Sequence, residues 1–191
     1  GIGALARLTM GMQEGGGAAG WFNRYTERFF PMEVTVRQQH DIALADLKAR
    51  LAEMAQNLAQ TAAFFREKFC SQWMEPTMGM LWNGALSEHT GVFGETAARF
   101  FAKDHTVLET LLGAFQRALY AFSAAGIIGM LRDRKRSGLC LLLPLIFFGG
   151  ALYHLLFEAK SQYAFPYAVL LLPVAAMGIC RIEDGLKGKR A

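Results

Sequence analysis

"LCLLLPLIFFGGALYHLLF" (residues 139–157) contains no Asp, Glu, Lys or Arg. Its 19 residues approach the roughly 20 that a helix needs to cross the hydrocarbon core of a bilayer. Core helices of soluble proteins seldom run so far without a charge, so the stretch reads as a membrane span. Two neighbours share its character. Residues 111–131 carry one charge, Arg117, near their start, and residues 162–180 carry none, although Pro166 and Pro173 interrupt them. The expected fold class is an all-α membrane protein. An extracytoplasmic, mainly helical region (1–106) would precede three transmembrane helices in 107–191, at about 109–131, 139–157 and 162–180.

Charge supports this division. Residues 1–106 hold 10 Lys and Arg against 11 Asp and Glu, a net of −1; residues 107–191 hold 10 against 5, a net of +5. The positive excess is clustered. "RDRKRSG" (132–138) and the tail "RIEDGLKGKRA" (181–191) carry four basic residues each, whereas "EAKSQY" (158–163) carries one. Basic flanks stay in the cytoplasm. Two crossings separate the two basic flanks, so both fall on one side. The expected location is the cell membrane, multi-pass, with 132–138 and 181–191 cytoplasmic and 1–106 and 158–161 extracytoplasmic, unless "GIGALARL" is the stub of an earlier helix. The chain opens on Gly1 with no basic region and apolar run of a signal peptide, and it reads as a piece of a longer protein.

The outer region has folding signals. No Gly or Pro occurs in 34–70, and Leu44, Leu47, Leu51, Met54 and Leu58 recur at helical spacing, with Phe65 seven residues on. One apolar stripe on a helix is expected, docked on other outer helices or on the membrane surface. Asn57 is a candidate break that would make a helix pair of it. "SQWMEP" (71–76) ends the segment at Pro76, with Trp73 and Trp82 flanking that turn, buried where they pack the amphipathic helices onto the membrane part. Glycines 79, 84, 91 and 94 predict turns, with a short helix at about 94–103.

Several chemistries are excluded. No basic stripe with interleaved aromatics is present, so nucleic acid is not an expected partner. Cys70, Cys140 and Cys180 are far apart and form no C-x-x-C, and His40, His89, His105 and His154 have no ligand spacing; neither a metal nor a cofactor is expected. "QEGGGAAGW" (13–21) lacks the G-K-[ST] of a phosphate loop and reads as a flexible loop ending on the Trp21 anchor.

The polar break between the second and third apolar stretches is different. "EAKSQYAFPY" (158–167) places Glu158, Lys160, Gln162, Tyr163 and Tyr167 together where the chain emerges from the apolar layer. Tyrosines at headgroup depth and snorkelling charges make an interfacial belt. The same groups can serve a site at the water–lipid boundary: Lys160 attracting a lipid phosphate, Gln162 and the tyrosine hydroxyls bonding a sugar or diphosphate.

Three stretches in order resemble one family: "MGMQEGGGAAGWFNRY" (10–25), "FFREKFCSQWMEPTMGMLW" (64–82) and "FFGGALYHLLFEAKSQYAFPYAVLLLP" (147–173). They are similar to the C-terminal part of bacterial polytopic glycosyltransferases akin to protein mannosyltransferases (family 39, the C-type superfamily). The sharpest parts are "SQWMEPT" and "HLLFEAKSQYAFPY". The resemblance implies an integral membrane enzyme that takes a sugar from a polyprenyl-phosphate donor to an extracytoplasmic acceptor. It also implies that the catalytic acidic residue lies in a first outer loop that this chain does not contain. Glu75 and Glu158 are accordingly not assigned catalysis, and the fragment is expected to be inactive alone. Lys160, Gln162, Tyr163, Tyr167 and Glu158 are the candidates for donor binding. A non-enzymatic polytopic protein, such as a transporter subunit or envelope assembly factor, is the rival class. Sugar, acceptor and oligomeric state are not encoded in any motif.

Overall fold

The computed structural model describes residues 1–88, 90–132 and 141–187. Among these residues the regular structure is helical, with no strand. The elements are α1 (Ala4–Gly11), a 3₁₀ turn (Tyr25–Phe29), α2 (Val36–Gln56), α3 (Leu58–Trp73), α4 (Met80–Leu86), α5 (Gly94–Phe101), α6 (Thr106–Arg132), α7 (Leu142–Leu156), a second 3₁₀ turn (Ser161–Tyr163) and α8 (Ala164–Lys187). The chain divides into two compact units. The first comprises Gly1–Trp73 and Gly149–Lys160, the second Met74–Phe148 and Ser161–Ala191.

In the first unit α2 starts on a capping box. The Thr35 N–H donates to Gln38 Oε1 at 2.9 Å, and the Gln38 N–H donates to Thr35 Oγ1 at 3.3 Å. Asn57 leaves the helical region and its Oδ1 accepts the Gln60 N–H at 3.1 Å, so it both ends α2 and caps α3. The expected helix pair is therefore present. The expected stripe is corrected. Leu47 and Met54 are buried, but Leu51 and Leu58 are exposed, and the buried row of α2 is Gln39, Ala43, Leu47 and Met54. The partner decides this: α1 lies against Ala43, whose carbonyl accepts from Thr9 Oγ1 at 3.0 Å, and a small residue at that point lets the backbones approach. Ala6, Met10, Tyr25, Phe29 and Ala43 form one apolar cluster, and Met12, Ala19, Leu47, Met54 and Phe64 another. Trp73 is buried as expected, its ring edge-on to His154 at 6.4 Å.

In the second unit α6 and α8 make the most extensive helix pairing. Ser123 Oγ donates to the Leu171 carbonyl at 3.3 Å, Gly126 lies against Val174, and Gly129 lies against the Arg181 side chain. The two numberings rise together, so the helices are parallel, and their C-termini, with Arg132 and Lys187 in the last turns, share one end. Pro166 falls in the first turn of α8, where a missing N–H costs little, and Pro173 is carried inside the helix. Both α6 and α8 are long and apolar enough to cross a membrane. The middle helix is shorter than the expected 139–157: α7 has 15 residues, about 23 Å at 1.5 Å per residue against a core of about 30 Å. Of that expected span, residues 139 and 140 lie outside the described set, as does most of the basic loop 132–138. Trp82 is corrected as well. It is 50% exposed, because α4 is a short helix with no buried residue. The helix expected at about 94–103 is α5.

Candidate functional site

The polar connection 158–163 is held at both ends by backbone geometry. At its start, in the first unit, α7 closes with the Phe157 N–H on the Tyr153 carbonyl at 2.9 Å, and His154 Nδ1 bonds the Glu158 carbonyl at 2.7 Å. The Ala159 N–H then donates to the Gly20 carbonyl at 2.9 Å. A side chain at Gly11 would overlap the Phe157 backbone, so only glycine lets α1 meet the end of α7. Glu158 and Lys160 are half-buried on either side of the fully buried Ala159.

The glycine-rich loop 13–21 that receives Ala159 is a fitted element. Its Trp21 Nε1 donates to Ser71 Oγ at 3.0 Å, which makes Trp21 the expected anchor, and the Ala19 N–H donates to Glu67 Oε1 at 3.1 Å. Gly20 has φ +72 and rests on the stem of Lys68, leaving no room for a Cβ. Lys68 is 1% exposed. Its ammonium donates to the Gly11 carbonyl, an orphan acceptor at the C-terminus of α1, and lies 5.8 Å from the Phe64 ring centre. Burial lowers the Lys68 pKa from its ordinary value to about 8. One turn further, Gln72 is fully buried with neither amide atom hydrogen-bonded. Sequence reading singled out neither residue. The usable signal was their spacing from Phe64, which places 64, 68 and 72 on one side of α3.

At the other end, in the second unit, two motifs meet. The Glu75 carboxylate accepts from the Thr77 N–H (2.8 Å), from Thr77 Oγ1 (2.5 Å) and from the Gly79 N–H, and the Gln116 amide donates to the Glu75 carbonyl at 3.4 Å. The carboxylate is thus occupied in clasping the turn after Pro76. Gly79, at φ +76, sets that turn against Ser161 and the Gln162 N–H, and Asn83 Nδ2 donates to Gln162 Oε1 at 3.1 Å. Ser161 is 1% exposed. Tyr163 is half-buried in the 3₁₀ turn, and Tyr167, in the first turn of α8, lies edge-on to Phe147 at 6.5 Å.

Of the five sequence candidates, Glu158 and Lys160 thus belong to the first unit, and Gln162, Tyr163 and Tyr167 to the second. Among the described residues no cluster of His, Cys, Asp and Glu could hold a metal; His89 and Cys140 lie outside them. What the connection offers chemically is a carboxylate and a lysine cation in the first unit, and an amide and two phenols near the start of α8 in the second. No protein-family model, curated protein or solved structure matches the chain.

Proposed function

We propose that this chain is the C-terminal portion of an integral membrane glycosyltransferase that uses a polyprenyl-phosphate-linked sugar, with 158–167 contacting the donor phosphate at the outer boundary. α6, α7 and α8 are the membrane part in this reading. It is supported by exposure: only 28% of the apolar window of α6 and 33% of that of α8 is buried within the chain. Large apolar side chains of α7, such as Leu145 and Leu152, are about two-thirds exposed (64% and 65%). Water penalises such surface, whereas lipid or further helices accept it. The parallel course of α6 and α8, with basic residues at their shared C-terminal end, agrees with both ends facing the cytoplasm.

The observation that carries the reading is the fastening of the polar connection. The glycine-rich loop holds it at Ala159 within the first unit, and the Glu75-clasped turn holds it at Ser161 and Gln162 within the second. A belt of snorkelling side chains needs no such backbone fixation, whereas a group that must meet a developing phosphate charge does. In the transfer step a carboxylate upstream of this chain would deprotonate or polarise the acceptor while the lipid phosphate leaves. Lys160 would supply the cation that stabilises that charge.

The test is Lys160→Met in the full-length protein. Turnover should fall on the order of 10²-fold, as for loss of one charge-stabilising donor, with folded yield retained; Tyr153→Phe, one turn deeper in α7, should change little. Wild-type turnover and donor affinity in Lys160→Met would leave only the interfacial belt. The absence of an acidic outer loop and further helices upstream would favour the non-enzymatic class.

A further inference from the structure

Two cavities lie along α2 in the first unit, of about 430 and 290 Å³, and Arg50 and Glu53 line both. The larger of the two falls within the range of small-molecule sites, about 300–1,000 Å³. The wall they share is preorganised. Arg50 Nε donates to the Met12 carbonyl at 2.9 Å, and the guanidinium lies 5.2 Å from the Phe64 ring centre. Its remaining nitrogens face Glu14 (3.2 Å) and Glu53 (3.4 Å). The Arg50 side chain is 19% exposed, while those of Glu14 and Glu53 are 64% and 67% exposed. At the far end Asp46 accepts from the Tyr25 hydroxyl at 2.7 Å and from Arg28 at 2.8 Å. Burial and the Asp46 charge hold the Tyr25 hydroxyl protonated well above the ordinary phenol range, so it remains a donor.

The charge count decides what fits. Two guanidinium groups (Arg28, Arg50) face three carboxylates (Glu14, Asp46, Glu53), and both are already paired. A phosphate would meet net negative charge, and a cation would meet arginines. The lining still offers carboxylate lone pairs interleaved with guanidinium N–H groups, plus the Asn57 and Gln60 amides, beside the apolar faces of Met54 and Phe64. Hydroxyl groups, which donate and accept at once, satisfy such a lining, and a sugar ring presents its C–H face to the apolar strip. We infer that this groove binds a short neutral oligosaccharide and, resting on the function proposed above, that it is the acceptor subsite.

Calorimetric titration of the full-length protein in detergent, using maltotriose, mannotriose and chitotriose, tests this directly. At least one should bind, and Glu53→Gln and Glu14→Gln should each weaken it about tenfold, in keeping with a lost charge-assisted hydrogen bond. The melting temperature should not move, because both carboxylates are exposed. Lys160→Met should leave saccharide affinity unchanged, and inorganic pyrophosphate should not compete. In transfer assays Glu53→Gln should raise the acceptor KM and leave kcat. The groove assignment falls if no trisaccharide binds, if both variants bind like wild type, or if pyrophosphate displaces the sugar. Transfer with an unmoved acceptor KM would remove the groove and keep the enzyme. Groove-dependent saccharide binding without transfer would do the reverse.

Discussion

Lys68 shows how much one residue's role depends on its surroundings. On the sequence it belongs to a run of charges; in the fold it is sealed beneath Gly20 and bonded to the last carbonyl of α1. Its stabilising bond and its desolvation oppose each other. Burial lowers the folded-state pKa to about 8, below the roughly 10.4 of an unfolded chain. Between those values the unfolded state binds more protons, so stability rises with pH. The penalty of burying the charge is fully present below pH ~8 and is relieved as pH approaches ~10.4, by about 3 kcal/mol in all. Melting temperature measured from pH 7.5 to 9.5 should therefore climb in the wild type relative to Lys68→Met, in which that slope disappears. Parallel profiles for the two proteins would mean that Lys68 is hydrated.

Among the elements, α6 and α8 depend on close backbone approach. A Cβ at Gly178 would overlap the Phe122 carbonyl, and one at Gly126 would overlap the Val174 carbonyl. Where lipid tails are as apolar as side chains, van der Waals contact between small residues supplies most of the attraction between helices. Gly178→Val should force the pair apart. Overpacking of this kind costs about 1–3 kcal/mol, and the melting temperature in detergent should drop by several degrees. Gly185, also in α8, has open space around it, so Gly185→Ala should be neutral or slightly stabilising. Equal effects at the two positions would refute the packing account. On the first unit's side, Asn57 has the corresponding formative role, since the side chain that interrupts α2 also supplies the cap for α3.

For the whole molecule the decisive question is sidedness. In the proposed orientation the C-terminal ends of α6 and α8 face the cytoplasm, and the residues preceding α6 face outward. Ser87 and Gly185 are both exposed, one before α6 and one near the end of α8. In a background lacking Cys70, Cys140 and Cys180, cysteine at position 87 should react with an impermeant thiol reagent in intact cells. Cysteine at position 185 should react only after permeabilisation. Labelling of both from outside would overturn the orientation and, with it, the placement of Lys160 at a donor headgroup.

The apolar lengths of α6 and α8, the break at Asn57, the Trp21 anchor and the burial of Trp73 were readable along the chain. Hydrophobic content and capping chemistry are local properties that act within a few residues of where they are written. The same locality explains why Lys160, Gln162 and the tyrosines stood out as the polar break between the second and third apolar stretches, while the way the backbone pins them did not. That pinning requires Gly20 and Gly79, more than 80 residues away in sequence. Which face of α2 is buried was likewise settled by α1 lying on Ala43 rather than by its leucines. The burial of Lys68 needed the Gly11 carbonyl and the bare Cα of Gly20, and the groove at Arg50 needed Met12, Glu14 and Phe64 brought to one place. Burial and pairing energies belong to contacts between distant segments, so only the tertiary structure decides them.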